Sequence, residues 1–153
     1  MTKIHDPTDE QHPIFLGQNR RRDYGWSSDN IGIFSCRFST DGREVVAGGN
    51  CHLFVYDLTA NERVNMIRAH EDDVNSCCWA DVSSGNVLVS ASDDHTLKVW
   101  DRRSLGASGK PSGVLVGHTE GVTHVSPRGD GRYVISNGKD QVRISFISRY
   151  VCL

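Results

Sequence analysis

Two short words recur in this chain at a nearly fixed interval, and such recurrence constrains the fold more than any single motif does. Phe54-Val55-Tyr56-Asp57 and Lys98-Val99-Trp100-Asp101 lie 44 residues apart, and Ala69-His70 and Gly117-His118 lie 48 apart. In each of the last two units a Val follows the His by four residues (His70 to Val74, His118 to Val122). A polar turn and an apolar segment ending in Ser come next (Ser90, Ser136), then an Asp four residues on (Asp94, Asp140), then an aromatic six residues later (Trp100, Phe146). Asn50 and Tyr56 keep the six-residue offset in an earlier unit. A unit of this size cannot bury its own apolar faces, so successive units must stack on one another.

Inside each unit the period is two. Ile33, Ser35 and Arg37 alternate with Phe34, Cys36 and Phe38; the turn Ser39-Thr40-Asp41-Gly42 follows, then a strand from Arg43 to Ala47. Further short strands are expected at Leu53 to Tyr56, Val64 to Ile67, Val74 to Trp79, Val87 to Ser90 and Leu97 to Trp100. No stretch from 31 to 147 carries a ten-residue helical stripe. The chain is therefore all-β, built of antiparallel hairpins, and not an alternation of strands and helices.

A His, a Ser and an Asp in one unit also spell the parts of a nucleophilic triad. Such a triad is assembled once, around an exposed serine with an oxyanion hole. Here His70, Ser90 and Asp94 are echoed by His118, Ser136 and Asp140 at matching offsets, and repetition of that kind is architecture. A His beside a carboxylate, a hydroxyl and an indole N–H satisfies all its polar groups in a low-dielectric interior, where leaving one unpaired costs about 1–3 kcal/mol. No GxSxG, P-loop or GxGxxG accompanies these residues. The chain is read as a non-enzyme without cofactor.

Composition narrows the class further. The 153 residues are 37% hydrophobic and 24% charged, with 17 Lys plus Arg against 19 Asp plus Glu, so one globular unit is expected. A net charge of -2 gives no overall pull towards nucleic acid, and no aromatic-interleaved basic stripe supports such binding. No window approaches the roughly 18 apolar residues of a membrane span, and the polar start lacks the apolar segment of a signal peptide; an intracellular protein with no membrane partner is expected. The five Cys are odd in number with no CxxC pair, so neither a disulfide nor a metal site is expected. Cys36, Cys77 and Cys78 are read as reduced thiols in the core. Residues 1 to 30, with few apolar side chains and the run Arg20-Arg21-Arg22, are read as a flexible arm.

The stretch RAHEDDVNSCCWADVSSGNVLVSASDDHTLKVWD, residues 68 to 101, resembles a complete repeat of the WD-repeat β-propeller family, and the likeness runs from residue 31 to 141. The resemblance implies an incomplete propeller over 31–147, with about three blades of four antiparallel strands at 31–68, 74–117 and 121–148. It also implies that His70, Ser90, Asp94 and Trp100 form one buried hydrogen-bonded chain, with His118, Ser136 and Asp140 as its counterpart. After Asp140 the apolar residues fall at Val142, Ile144 and Phe146, one place away from the positions held by Leu97 and Val99, and a one-residue slip exchanges sheet faces. Residues 142–153 are accordingly read as a tail foreign to the repeat, and the chain as a truncated propeller.

LVSASDDHTLKVWDRR, residues 88 to 103, is similar to the box of WD-repeat substrate receptors of cullin-RING ubiquitin ligases, of the DDB1- and CUL4-associated factor type. FSTDGREVVAG, HEDDVN and GDGRYVISNGKDQ resemble the same family, including a plant relative. The resemblance implies a non-catalytic receptor of nucleus and cytoplasm that docks on a DDB1-like propeller adaptor within a cullin-RING ligase and holds an unknown protein substrate. The docking residues would be Trp100, Asp101, Arg102 and Arg103, with Arg103 the principal contact. The alternative is a WD-repeat scaffold of another complex. Blade one departs from the pattern: Tyr56-Asp57-Leu58-Thr59 has no Arg at the contact position, and its turn at Gly48-Gly49-Asn50 is one residue shorter.

Overall fold

The computed structural model describes residues 32–105 and 109–147; the arm expected over 1–30 and the end of the chain from 148 lie outside the described residues. Short strands alternating with Gly- and Asp-rich turns give three antiparallel sheets. The first holds β1 (Ile33–Phe38), β2 (Glu44–Gly49), β3 (His52–Asp57) and β4 (Glu62–Arg68). The second holds β5 (Val74–Trp79), β6 (Val87–Ser92), β7 (Leu97–Asp101) and β8 (Gly113–Leu115). The third holds β9 (Val122–Pro127), β10 (Tyr133–Gly138) and β11 (Arg143–Ile147). A 3-10 turn, Arg102–Ser104, follows β7.

In each sheet neighbours in sequence are neighbours in space, and the first strands β1, β5 and β9 lie side by side. The sheets thus fan outwards from a common inner edge, as blades do. Blade two buries both faces through the pleat, which sends successive side chains to opposite sides. In blade one, Val46, Leu53 and Val55 face blade two, where they meet Trp79, Leu88 and Trp100 in one core. The alternate residues of blade two, including Val89, Leu97 and Val99, form a second core with Val122, Val125 and Val134 of blade three. Burying each such side chain stabilises by about 1.5–3 kcal/mol relative to exposure.

Two expectations change. Cys36 is exposed: Ser35 is the β1 residue that reaches blade two, its hydroxyl accepting from the Cys77 N–H at 3.4 Å, so Cys36 projects from the opposite face, where Phe34 and Phe38 are exposed as well. Cys77 and Cys78 are buried, and burial pushes both thiols up to about 12. The second change concerns the tail, because Arg143–Ile147 completes the third sheet as β11. Its backbone keeps the register of the repeat, Ser136 pairing with Ile144 and Ile135 with Ser145 as Ser90 pairs with Lys98 and Val89 with Val99. Ladder hydrogen bonds come from the backbone and form whatever the side chains. The side-chain pattern is what differs: exposed Arg143 and Ser145 take the places of buried Leu97 and Val99. Blade three therefore has three described strands where four were expected.

Candidate functional site

In blades two and three the repeated residues meet at one rim. Ser90 lies on β6 and Trp100 on β7, His70 on the link from β4 to β5, and Asp94 in the turn from β6 to β7. The turn is shaped by its own side chains. Asp94 Oδ1 accepts from the Thr96 N–H at 3.0 Å and from the Thr96 hydroxyl at 2.7 Å, an arrangement that mimics a backbone turn. The residue after the Asp is left-handed, with φ of 71° at His95, and the same holds at Cys51 (54°) and Gln141 (64°). The β2–β3, β6–β7 and β10–β11 turns thus bend at one equivalent position. The shorter turn of blade one is visible in the register, Gly48 pairing with Leu53 where Ala91 pairs with Leu97 and Asn137 with Arg143.

His70 Nδ1 stands 2.8 Å from Asp94 Oδ2 and its Nε2 stands 2.7 Å from Ser90 Oγ. The Trp100 indole N–H donates to Ser90 Oγ at 2.9 Å. Hydrogen-bond logic assigns the protons: Ser90 accepts from Trp100 and donates to His70 Nε2, so His70 carries its proton on Nδ1 and donates to the carboxylate. Burial lowers the His70 pKa, outweighing the opposing pull of Asp94, and the neutral ring is the form the chain needs. Asp94 is below the ordinary carboxylate value: burial raises it, but hydrogen bonds from Thr96 and the nearby His70 prevail. The Glu71 N–H adds a bond to Asp94 Oδ2 at 3.2 Å.

Blade three repeats the device. His118 Nδ1 lies 3.0 Å from Asp140 Oδ2, His118 Nε2 lies 2.8 Å from Ser136 Oγ, and the Thr119 N–H donates to Asp140 at 3.1 Å. A Cβ on Gly138 would stand 2.7 Å from His118 Nδ1, which explains the glycine. Among the described residues blade one lacks the chain. Ala47 sits opposite Cys36 where Ser90 sits opposite Cys77, and Asn50 instead accepts from the Gly32 N–H at 2.6 Å and donates to Asp73 at 3.0 Å. Ser90 is wholly buried and both its partners are structural, so it offers no open side to a substrate.

The box lies at the opposite end of β7. Trp100 is 1% exposed; it anchors the box from inside and has no surface to give a partner. Asp101 caps the 3-10 turn by accepting from the Arg103 N–H at 2.9 Å. Its carboxylate then takes the Arg103 side chain in bidentate fashion, Nε at 2.9 Å and NH2 at 2.6 Å. This pairing holds Asp101 below the usual carboxylate range and raises Arg103. The Arg103 side chain is 66% exposed. Arg102 turns the other way and forms an ion pair with Glu44 of blade one. That pair borders a polar cleft of about 410 Å³ between the β1–β2 and β5–β6 turns, lined among others by Arg43, Asp57, Ser83 and Asn86.

Sequence reasoning brought together the His, Ser, Asp and Trp of blade two but missed Glu44, whose partner is 58 residues away and leaves no local pattern. It also missed Asp81, drawn down to about 2 by the hydroxyls of Ser84 and Ser83. That signal was present, since Asp-Val-Ser-Ser has the form of a side-chain-capped turn.

Blades stacked in this way, each bent at the same Asp or Asn turn, define a WD-repeat propeller unit. The WD domain, G-beta repeat model matches residues 21–57, 61–101 and 109–144, so the chain belongs to the WD-repeat family. The matches extend past 31–141 at both ends, into the segments read as arm and tail. More particularly, the LEC14B protein of Lithospermum erythrorhizon is 52% identical over 142 residues, covering 92% of this chain and 28% of that protein. The DDB1- and CUL4-associated factor 11 homolog of Caenorhabditis elegans is 43% identical over 116 residues, covering 74% of this chain and 20% of that protein. The chain therefore spans between a fifth and three tenths of these relatives' lengths. A chain from a crystal structure of the mitotic checkpoint complex superposes with a TM-score of 0.70 at 24% identity, covering 80% of this chain and 36% of that one, a likeness of fold.

Proposed function

We propose that these blades belong to a non-catalytic substrate receptor of a cullin-RING ubiquitin ligase, acting in nucleus and cytoplasm and docking a DDB1-like propeller adaptor through Arg103. The observation that carries this is the 43% identity to a protein named as a DDB1- and CUL4-associated factor. Arg103 supplies the chemistry: Asp101 engages two of its five N–H groups, which fixes the planar fork while leaving three donors for acceptors on a partner. The receptor would act by proximity, raising the effective concentration of a bound protein near ubiquitin-loaded enzyme. The test is co-precipitation of DDB1 and the cullin with the wild-type chain and with Arg103→Ala. Capture falls at least tenfold in the variant, as expected when a central Arg is truncated at a cost of about 2 kcal/mol or more. Melting stays nearly unchanged, because an exposed ion pair contributes only about 0.2–1 kcal/mol. Undiminished capture contradicts the proposal.

A second reading, a WD-repeat scaffold of another complex, is favoured by one observation. The Arg103 fork already has an acceptor in its own chain, so the box is self-satisfied without a partner. Under that reading Arg103→Ala alters neither adaptor nor cullin capture.

A further inference from the structure

We propose that the two adjacent arginines of the box divide the work: Arg102 clasps blade two to blade one through Glu44, and by doing so sets the direction in which Arg103 leaves the disc. This deepens the docking proposal and rests on it for the partner's identity.

The side chains of Arg102 and Arg103 begin on successive residues of one 3-10 turn and then part. Arg102 NH2 donates to Glu44 Oε1, with the two side chains 35% and 10% exposed. The Arg102 Nε is buried with no hydrogen-bond partner, which closes this guanidinium to an outside acceptor on that side. Its backbone N–H donates to the Asn86 carbonyl at 2.8 Å. Arg102 is therefore tied at its backbone to the start of β6 and at its head to the neighbouring blade. Glu44 is a firm anchor, since its N–H donates to the Ser39 hydroxyl at 2.9 Å and its residue pairs with Asp57 in the β2–β3 ladder. The Arg103 side chain, by contrast, donates to Asp101, and both residues lie in blade two.

The peptide shared by Arg102 and Arg103 is consequently held on the blade-one side by Arg102 and on the blade-two side by the Asp101 cap. Releasing the Arg102 side chain removes a tie that crosses to blade one, and lets the 3-10 turn and the Arg103 fork shift relative to that blade. A half-shielded ion pair of this kind is better suited to fixing geometry than to adding stability, because desolvation offsets much of its attraction. Blade one, which has Leu58 and Thr59 where blade two has Arg102 and Arg103, then contributes to docking through Glu44.

The experiment measures affinity for purified DDB1, together with the Nε–H nuclear magnetic resonance signal of Arg103, in the full chain. Variants are Glu44→Gln, Arg102→Gln, the double variant and Arg102→Lys, with thermal melting to establish that each is folded. Each Gln variant weakens binding at least about fivefold, the low end of coupling between separated sites, and moves the Arg103 signal. The double variant is no weaker than either single one, as two ends of one contact require. Arg102→Lys keeps the charge and restores both readouts. Additive losses, or an Arg103 signal indifferent to Glu44→Gln, overturn the clasp. If Arg103→Ala abolishes binding while Glu44→Gln binds as the wild type, docking stands and the clasp fails. If the wild type does not bind DDB1, docking fails and the Arg103 signal alone decides the clasp.

Discussion

At the scale of single residues the decisive group is His70, whose neutrality is forced by its surroundings. A proton added to Nε2 would face the hydroxyl hydrogen that Ser90 already directs there, and burial opposes the charge. With a folded pKa below the ordinary value of about 6.5, the unfolded chain takes up a proton first as pH falls. Stability from this group is complete above about pH 6.5 and declines on acidification down to the lower folded value. Asp94, held below the usual carboxylate value, adds a further loss below about pH 4 as it is protonated. A melting series from pH 7 to pH 5 therefore falls in the wild type and flattens in His70→Gln; equal slopes contradict the assignment. These residues were legible because offsets repeat between units. Cys36 was misplaced because alternation tells which residues share a face and not which face is covered, and Glu44 with Arg102 was invisible because the pair joins two blades.

Seven of the eleven described strands, β1 to β7, were legible from period-two alternation between turn words, with ends displaced by at most two residues, as β2 running to Gly49 and β6 to Ser92 illustrate. Backbone pairing continues past the last apolar residue, so a pattern of side chains underestimates strand length. β11 is the instructive element, since its inverted pattern looked foreign while its ladder kept register. The sheet faces give a prediction. Leu88 on β6 is fully buried between blades one and two, while Ile135 on β10 is 55% exposed. Leu88→Ala should cost about 2–5 kcal/mol by denaturant unfolding, and Ile135→Ala about 0.5 kcal/mol or less. Similar costs at the two positions would mean that blade three carries an apolar cover at Ile135.

For the whole molecule, the repeat interval foretold stacked sheets and their number, but not the ties between them. Ion pairs supply two of those ties: Arg102 with Glu44 joins blades one and two at the box rim, and Lys139 with Asp93, at 2.8 Å, joins blades two and three at the histidine rim. The cores between blades are separate, so a double-mutant cycle should be selective. Leu53→Ala and Leu88→Ala, which share one core, should couple by about 0.5 kcal/mol or more, whereas Leu53→Ala and Val134→Ala, in different cores, should add within about 0.5 kcal/mol. Everything proposed for the box depends on blade two being locked from within by the path from His70 to Trp100. Hydrogen exchange at the Trp100 indole N–H probes that path most directly: the account predicts exchange only on global unfolding in the wild type and markedly faster exchange in a folded Ser90→Ala chain. Rapid Trp100 exchange in the wild type, or protection indifferent to Ser90→Ala, would contradict it.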